Sequence, residues 1–89
     1  MRANFTKQFK KNYKKRMLTN PALDKRFGER FRIFMEDSSK PLIKDHALSG
    51  KLTGLRAFSI TGDIRVIYYI KEETAYFIDI GTHNQVYRK

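Results

Sequence analysis

Apolar residues recur every four positions early in the chain, at Phe9, Tyr13 and Met17. That spacing predicts a helix over about residues 7–18, with Thr6 placed to cap it and Lys10, Lys11, Lys14, Lys15 and Arg16 on its other faces. Asn20-Pro21 then joins a capping side chain to a proline at the first helical position. The second helix runs from there to about Glu36, with Leu23, Phe27, Phe31, Phe34 and Met35 along one face, and Asp37-Ser38-Ser39-Lys40-Pro41 ends it. Residues 2–5 suit a short edge strand. A polar segment, Leu42 to Thr53, follows the helices and contains His46.

Beyond it the period changes from about four to the short β-rich runs of strands, over Leu55–Ile60, Ile64–Ile70 and Thr74–Ile80. The links between them are Thr61-Gly62, with or without Asp63, and Lys71-Glu72-Glu73. Both are too short for a crossover, so the three strands should form an antiparallel meander. The expected fold is α+β, in the order β-α-α-β-β-β, with two N-terminal helices packed on one face of a small antiparallel sheet. Eighty-nine residues make one domain, 1–89.

The first hairpin decides which side chains share a surface. A two-residue Thr61-Gly62 turn pairs Ile60 with Asp63 and Phe58 with Arg65. Arg56, Phe58, Asp63, Arg65 and Ile67 then share one sheet face, and Leu55, Ala57, Ser59, Ile64, Val66, Tyr68 and Ile70 face the helices. Arg65, which interrupts an apolar strand, would point into a concavity that the chain's end and the His46 segment could close. A bulge would shift this assignment.

The net charge is +10, and it is unevenly placed. Residues 1–35 hold 11 Lys/Arg against Asp24 and Glu29, a net of +9; residues 36–89 hold 8 against 7 acids, a net of +1. Such a field attracts a polyanion: nucleic acid, a membrane surface or an acidic protein. The chain is 40% hydrophobic and 13% aromatic, as a folded domain requires. It has no cysteine, no apolar signal core and no apolar run near the ~20 residues of a membrane span. These features predict a soluble, cytoplasmic protein. There is no phosphate-binding loop, dinucleotide glycine motif, nucleophile elbow or paired-histidine metal spacing, so no cofactor and no metal are expected.

The remaining chemistry is that of RNA cleavage. Attack of a 2′-hydroxyl on the adjacent phosphate needs a proton acceptor, a proton donor and positive charge on the phosphate. Histidine can carry either proton near neutrality, and the chain has two, His46 and His83. Arg65 suits charge developing on a phosphate, Arg56 and Lys44 suit the backbone, and Tyr87 offers a ring to stack on a base. Asp63 could orient a histidine or only shape its turn. The plain alternatives are exposed histidines without a role, an Arg65 salt bridge to Asp63 or Asp79, and a Tyr87 that docks the tail.

The loop Lys44-Asp45-His46-Ala47-Leu48-Ser49-Gly50, the stretch Gly54-Leu55-Arg56, the strand Asp63-Ile64-Arg65-Val66-Ile67-Tyr68 and the ending Gly81-Thr82-His83-Asn84-Gln85-Val86-Tyr87 together resemble the RelE/ParE toxin superfamily. The nearest branch is similar to the YafQ-type mRNA interferases of bacterial type II toxin–antitoxin modules, and the resemblance covers nearly the whole chain. It implies a metal-independent, ribosome-dependent endoribonuclease that cuts mRNA in the ribosomal A site, neutralised by a cognate acidic antitoxin. It implies His83 as general acid, His46 or Asp63 as base or orienter, Arg65 on the transition-state phosphate and Tyr87 on the substrate. Arg56 falls where RelE has a lysine facing the RNA, and the basic helices, with Lys10 and Lys14, would grip ribosomal RNA and mRNA. Ser59 and Ile64 depart from the YafQ branch, which often has histidine and tryptophan there. Two other functions fit the same superfamily: a ParE-like gyrase inhibitor, and a catalytically inactive relative that only binds nucleic acid or antitoxin.

Overall fold

The computed structural model describes residues 1–87. A short strand β1 (Arg2–Phe5) leads into helices α1 (Lys7–Arg16) and α2 (Pro21–Glu36). A two-residue strand β2 (His46–Ala47) follows, then β3 (Arg56–Ser59), β4 (Ile64–Lys71), β5 (Thr74–Thr82) and a short helix α3 (His83–Tyr87). The caps are those the sequence offers. The Thr6 hydroxyl accepts from the Phe9 amide at 3.3 Å, and the Asn20 side chain accepts from the Ala22 and Leu23 amides at 3.1 and 3.3 Å. Among the described residues no helix is long and apolar enough to cross a membrane.

The strands form one sheet in the order β1-β5-β4-β3-β2. The meander of β3, β4 and β5 is antiparallel as expected. The sheet as a whole is mixed, because β1 runs parallel to β5, with Phe5 opposite Phe77. The two helices return the chain over the sheet, and that crossover is what a parallel pairing needs. β2 and α3 are additions to the expected order; both are too short to carry a hydrophobic period.

The helices cover one sheet face. Phe34 stacks on Phe58 with centroids 4.6 Å apart and meets Tyr68 edge-on at 4.8 Å, while Phe77 packs against Phe5, Phe9, Phe31 and Phe34. On the opposite face Ala57, Ile67 and Val86 form a smaller cluster with Leu48, Leu55, Ile78 and Tyr87. This second cluster attaches α3 and the loop after β2 to the open side of the sheet.

The first hairpin differs from the expected register by one residue. Its turn has three residues, 61–63: the Ile60 amide donates to the Ile64 carbonyl at 2.8 Å, and the Thr61 hydroxyl accepts from the Asp63 and Ile64 amides at 3.2 and 2.9 Å. Ser59 therefore pairs with Arg65, Phe58 with Val66 and Arg56 with Tyr68. A one-residue slip exchanges the faces of a strand. Phe58 and Arg56 move to the helix side, and Ala57 and Ser59 move to the open side. Burying the Phe58 ring favours this register by about 2 kcal/mol. Arg65 and Ile67 keep the open side, Val66 and Tyr68 the helix side. Ile70 lies beyond the helices and is exposed. The pairing of β4 with β5 also shifts, between Ile67 and Tyr68, leaving Ile78 as an extra residue that turns to the open-face cluster.

Candidate active site

α3 exists because its N-terminus is satisfied three times. The Gln85 side chain accepts from the Thr82 amide at 2.8 Å, and the Thr82 hydroxyl accepts from the Gln85 amide at 3.2 Å, which is a capping box. The Asp63 carboxylate accepts from the His83 amide at 3.3 Å. Gly81 makes this corner possible. A Cβ there would lie 2.5 Å from Gln85 Oε1 and 2.9 Å from Arg16 Nη1, which itself donates to the Ile80 carbonyl at 2.9 Å.

One helical turn then places His83 and Tyr87 together, with ring centroids 4.5 Å apart and planes at 76°. Across from them is the loop Leu48–Leu52, and between them rises Arg65 of β4. The result is a cleft of about 380 Å³ lined by His46, Leu48, Ser49, Leu52, Arg65, His83 and Tyr87. Arg65 Cζ lies 5.9 Å from the Tyr87 ring centroid. Arg65 Nε and the Tyr87 hydroxyl are buried with no hydrogen-bond partner among the described residues. Arg65 also forms no ion pair among those residues, since the two pairs present join Arg16 to Asp79 and Arg56 to Asp45.

His46 enters from the sheet edge, where it pairs with Ala57 and so shares the open face with Ile67 and Arg65. Its Nδ1 lies 2.9 Å from the Lys44 carbonyl. A carbonyl only accepts, so this contact puts the proton on Nδ1 and leaves the Nε2 lone pair of the neutral ring for another proton. Lys44 has φ +51°, a left-handed conformation that turns the loop between residue 43 and the sheet.

That loop is tied down on the helix side. Arg56 pairs with Asp45 at 3.0 Å and donates from Nε to the Tyr68 hydroxyl at 3.2 Å, and the Tyr68 hydroxyl donates to Asp45. Burial, and then the hydrogen bond to Asp45, push the Tyr68 hydroxyl above its ordinary range, while Asp45 and Tyr68 hold the Arg56 guanidinium charged.

Of the residues named from sequence, His46, Arg65, His83 and Tyr87 line one cleft. Asp63 sits beside it as the acceptor at the start of α3. Arg56 is on the far face of the sheet, engaged by Asp45 and Tyr68, so the expectation that it faces the cleft is corrected by the hairpin register. Lys44 lines an adjacent cleft of about 290 Å³ with Arg26, Arg30, Leu42, Ser59, Thr61, Gly62 and Arg65. Lys10 and Lys14 are elsewhere, on α1, beside a groove lined by Phe5, Phe9, Tyr13, Leu18 and Phe27. Sequence reasoning missed α3, whose signal was the Thr82-x-x-Gln85 spacing. It also missed Arg26 and Arg30, which carry no distinguishing pattern on a basic helix. Among the described residues no three His, Cys, Asp or Glu side chains converge as a metal site.

Over residues 1–88 the sequence matches the family described as bacterial toxin of type II toxin–antitoxin system, YafQ. No curated protein sequence matches it at a comparable level. Its fold is similar to that of a copper-bound point mutant of a toxin from Helicobacter pylori, at 26% identity, TM-score 0.81, and 97% and 98% of the two chains covered. It is similar to YafQ of E. coli, at 19% identity, TM-score 0.81, and 98% and 99% coverage. It is also similar to E. coli YafQ in the DinJ–YafQ complex, at 20% identity, TM-score 0.79 and the same coverage. The cleft therefore belongs to a fold whose relatives are toxins, and this chain belongs to the YafQ family of bacterial toxins of type II toxin–antitoxin systems.

Proposed function

We propose that this toxin is an mRNA endoribonuclease that cleaves through the substrate's own 2′-hydroxyl. The observation that carries the reading is the convergence of His46, Arg65, His83 and Tyr87 on one open cleft. His46 Nε2 takes the proton from the 2′-hydroxyl as the 2′-oxygen bonds to phosphorus. The bond from phosphorus to the 5′-oxygen breaks, and His83, as imidazolium, gives that oxygen its proton. The products are a 2′,3′-cyclic phosphate and a 5′-hydroxyl. The Arg65 guanidinium, whose Nε has no partner and which meets no carboxylate among the described residues, stabilises charge on the phosphoryl oxygens. Tyr87 offers its ring to a base, while its hydroxyl lies buried in the cleft wall with no partner among the described residues. Asp63 acts through the His83 backbone as a positioning residue. Both protons in this step are carried by this chain's own side chains, which is acid–base catalysis.

The +10 charge suits translating mRNA on the ribosome in the cytoplasm. It also suits a cognate acidic antitoxin, in line with the DinJ–YafQ assembly of the E. coli relative. The apolar α1–α2 groove flanked by Lys10 and Lys14 has the right complement for an acidic amphipathic segment of that antitoxin.

The test is induced expression in a bacterium of the wild type and of an Arg65→Ala/His83→Ala double variant, with mRNA 5′ ends mapped. New cuts within translated frames, absent with the variant, are expected. Growth arrest without cuts, accompanied by DNA damage, would replace this reading with gyrase inhibition, and no arrest would leave an inactive binding protein.

A further inference from the structure

We propose that the second cleft is a subsite for a phosphate of single-stranded RNA that flanks the scissile one. The inference rests on the RNA-cleavage reading and extends it to α2. Four cations converge there, Arg26 and Arg30 from α2, Lys44 from the loop and Arg65 from β4, and no carboxylate of the described residues lines the space. An unmatched group of this kind favours an anion, and guanidinium forks favour phosphate.

Four further features make it a built site continuous with the first. Arg65 lines both clefts. Lys44 joins them a second time, because it lines the basic cleft while its carbonyl accepts from His46 Nδ1 in the catalytic one. Ser59 lines the basic cleft at 6% exposure, and its hydroxyl makes no hydrogen bond among the described residues. Arg30 is held in place by the Leu42 carbonyl at 3.3 Å. A strand with its scissile phosphate at Arg65 would thus set a neighbouring phosphate against Arg30, Arg26 and Lys44. The subsite would fix the register of the strand, so that the correct 2′-hydroxyl meets His46.

The experiment measures binding of a short single-stranded RNA that is 2′-O-methylated to prevent cleavage. Single internal linkages are replaced in turn by neutral methylphosphonates. Binding is compared for wild type, Arg26→Gln/Arg30→Gln, and a charge-matched Lys11→Gln/Lys15→Gln control on the exposed side of α1. At one linkage beside the scissile position, neutralisation should weaken wild type and control roughly tenfold and leave the α2 variant unchanged. The α2 variant should also lose about 0.7 from its salt slope per phosphate released. Equal penalties in all three proteins at every linkage would overturn the subsite, as would no binding by the wild type at low ionic strength. The cleavage reading is judged separately by the expression experiment, so the two can fail independently.

Discussion

The Arg65 guanidinium carbon lies 5.9 Å from the centroid of the Tyr87 ring, and each of these side chains buries a polar atom that no described residue satisfies. An unsatisfied buried hydroxyl costs about 1–3 kcal/mol. Tyr87→Phe should therefore keep or raise thermal stability by up to about 1 kcal/mol while lowering cleavage. Thermal melting and a cleavage assay on the same preparation check this. A variant that is less stable and fully active would show that the hydroxyl is structural.

The pair Asp45–Arg56 predicts loss at a distance. The Asp45 side chain is 8% exposed and the Arg56 side chain 40%, so solvent screens part of the attraction. Asp45→Asn should cost about 1–3 kcal/mol, mostly from partners left unsatisfied, and should reduce activity by loosening the segment that presents His46. Arg56→Gln should lower stability without changing the salt dependence of RNA binding. A reduced salt slope would return Arg56 to the RNA interface.

Alkaline pH should destabilise the protein through Tyr68 and Tyr13. Burial raises both hydroxyls above the ordinary value of 10.0, reinforced by hydrogen bonds to Asp45 and Asp24. A group raised on folding stabilises fully below its unfolded pKa, and that contribution is lost as pH rises through the folded value. Melting temperature should thus fall as pH climbs above about 10, and Tyr68→Phe, although less stable at neutrality, should give a flatter curve there. A wild-type curve level from about pH 8 to pH 12 would contradict this.

The turn between β4 and β5 carries avoidable strain. Glu72 and Glu73 have φ of +50° and +63°, and Lys71 pairs with Thr74 around them. Two successive left-handed residues favour Asn-Gly in such a turn, and each costs an ordinary L-residue about 1–2 kcal/mol. Replacing Glu72-Glu73 by Asn-Gly should raise the melting temperature by roughly 4–8 °C for each kcal/mol relieved. Unchanged or lower melting would show that the glutamates have other partners in the folded chain.

Most of the architecture was legible from local rules. Phe9, Tyr13 and Met17 announced α1, Asn20-Pro21 the start of α2, and the β-rich runs the meander. The register of β3 against β4 was not legible, because it turned on whether the Thr61 hydroxyl would hold a third turn residue. That single hydroxyl reassigns Arg56 from the cleft to a structural network. The residues His46, Arg65, His83 and Tyr87 could be named from chemistry and resemblance. Their convergence depended on α3 folding back onto the open face through Val86, a tertiary contact with no local periodicity. Arg26 and Arg30 were invisible among 19 Lys and Arg until α2 and the His46 loop met in space.

The most direct measurement of the central claim is the chemistry of the cut ends. Purified toxin should be added to ribosomes programmed with a defined mRNA, and the products analysed for terminal groups. Transfer to the 2′-hydroxyl predicts a 2′,3′-cyclic phosphate and a 5′-hydroxyl, with cleavage abolished by one 2′-O-methyl group at the cut site and by His83→Ala. A 3′-hydroxyl paired with a 5′-phosphate, or cleavage that survives the 2′-O-methyl group, would contradict it.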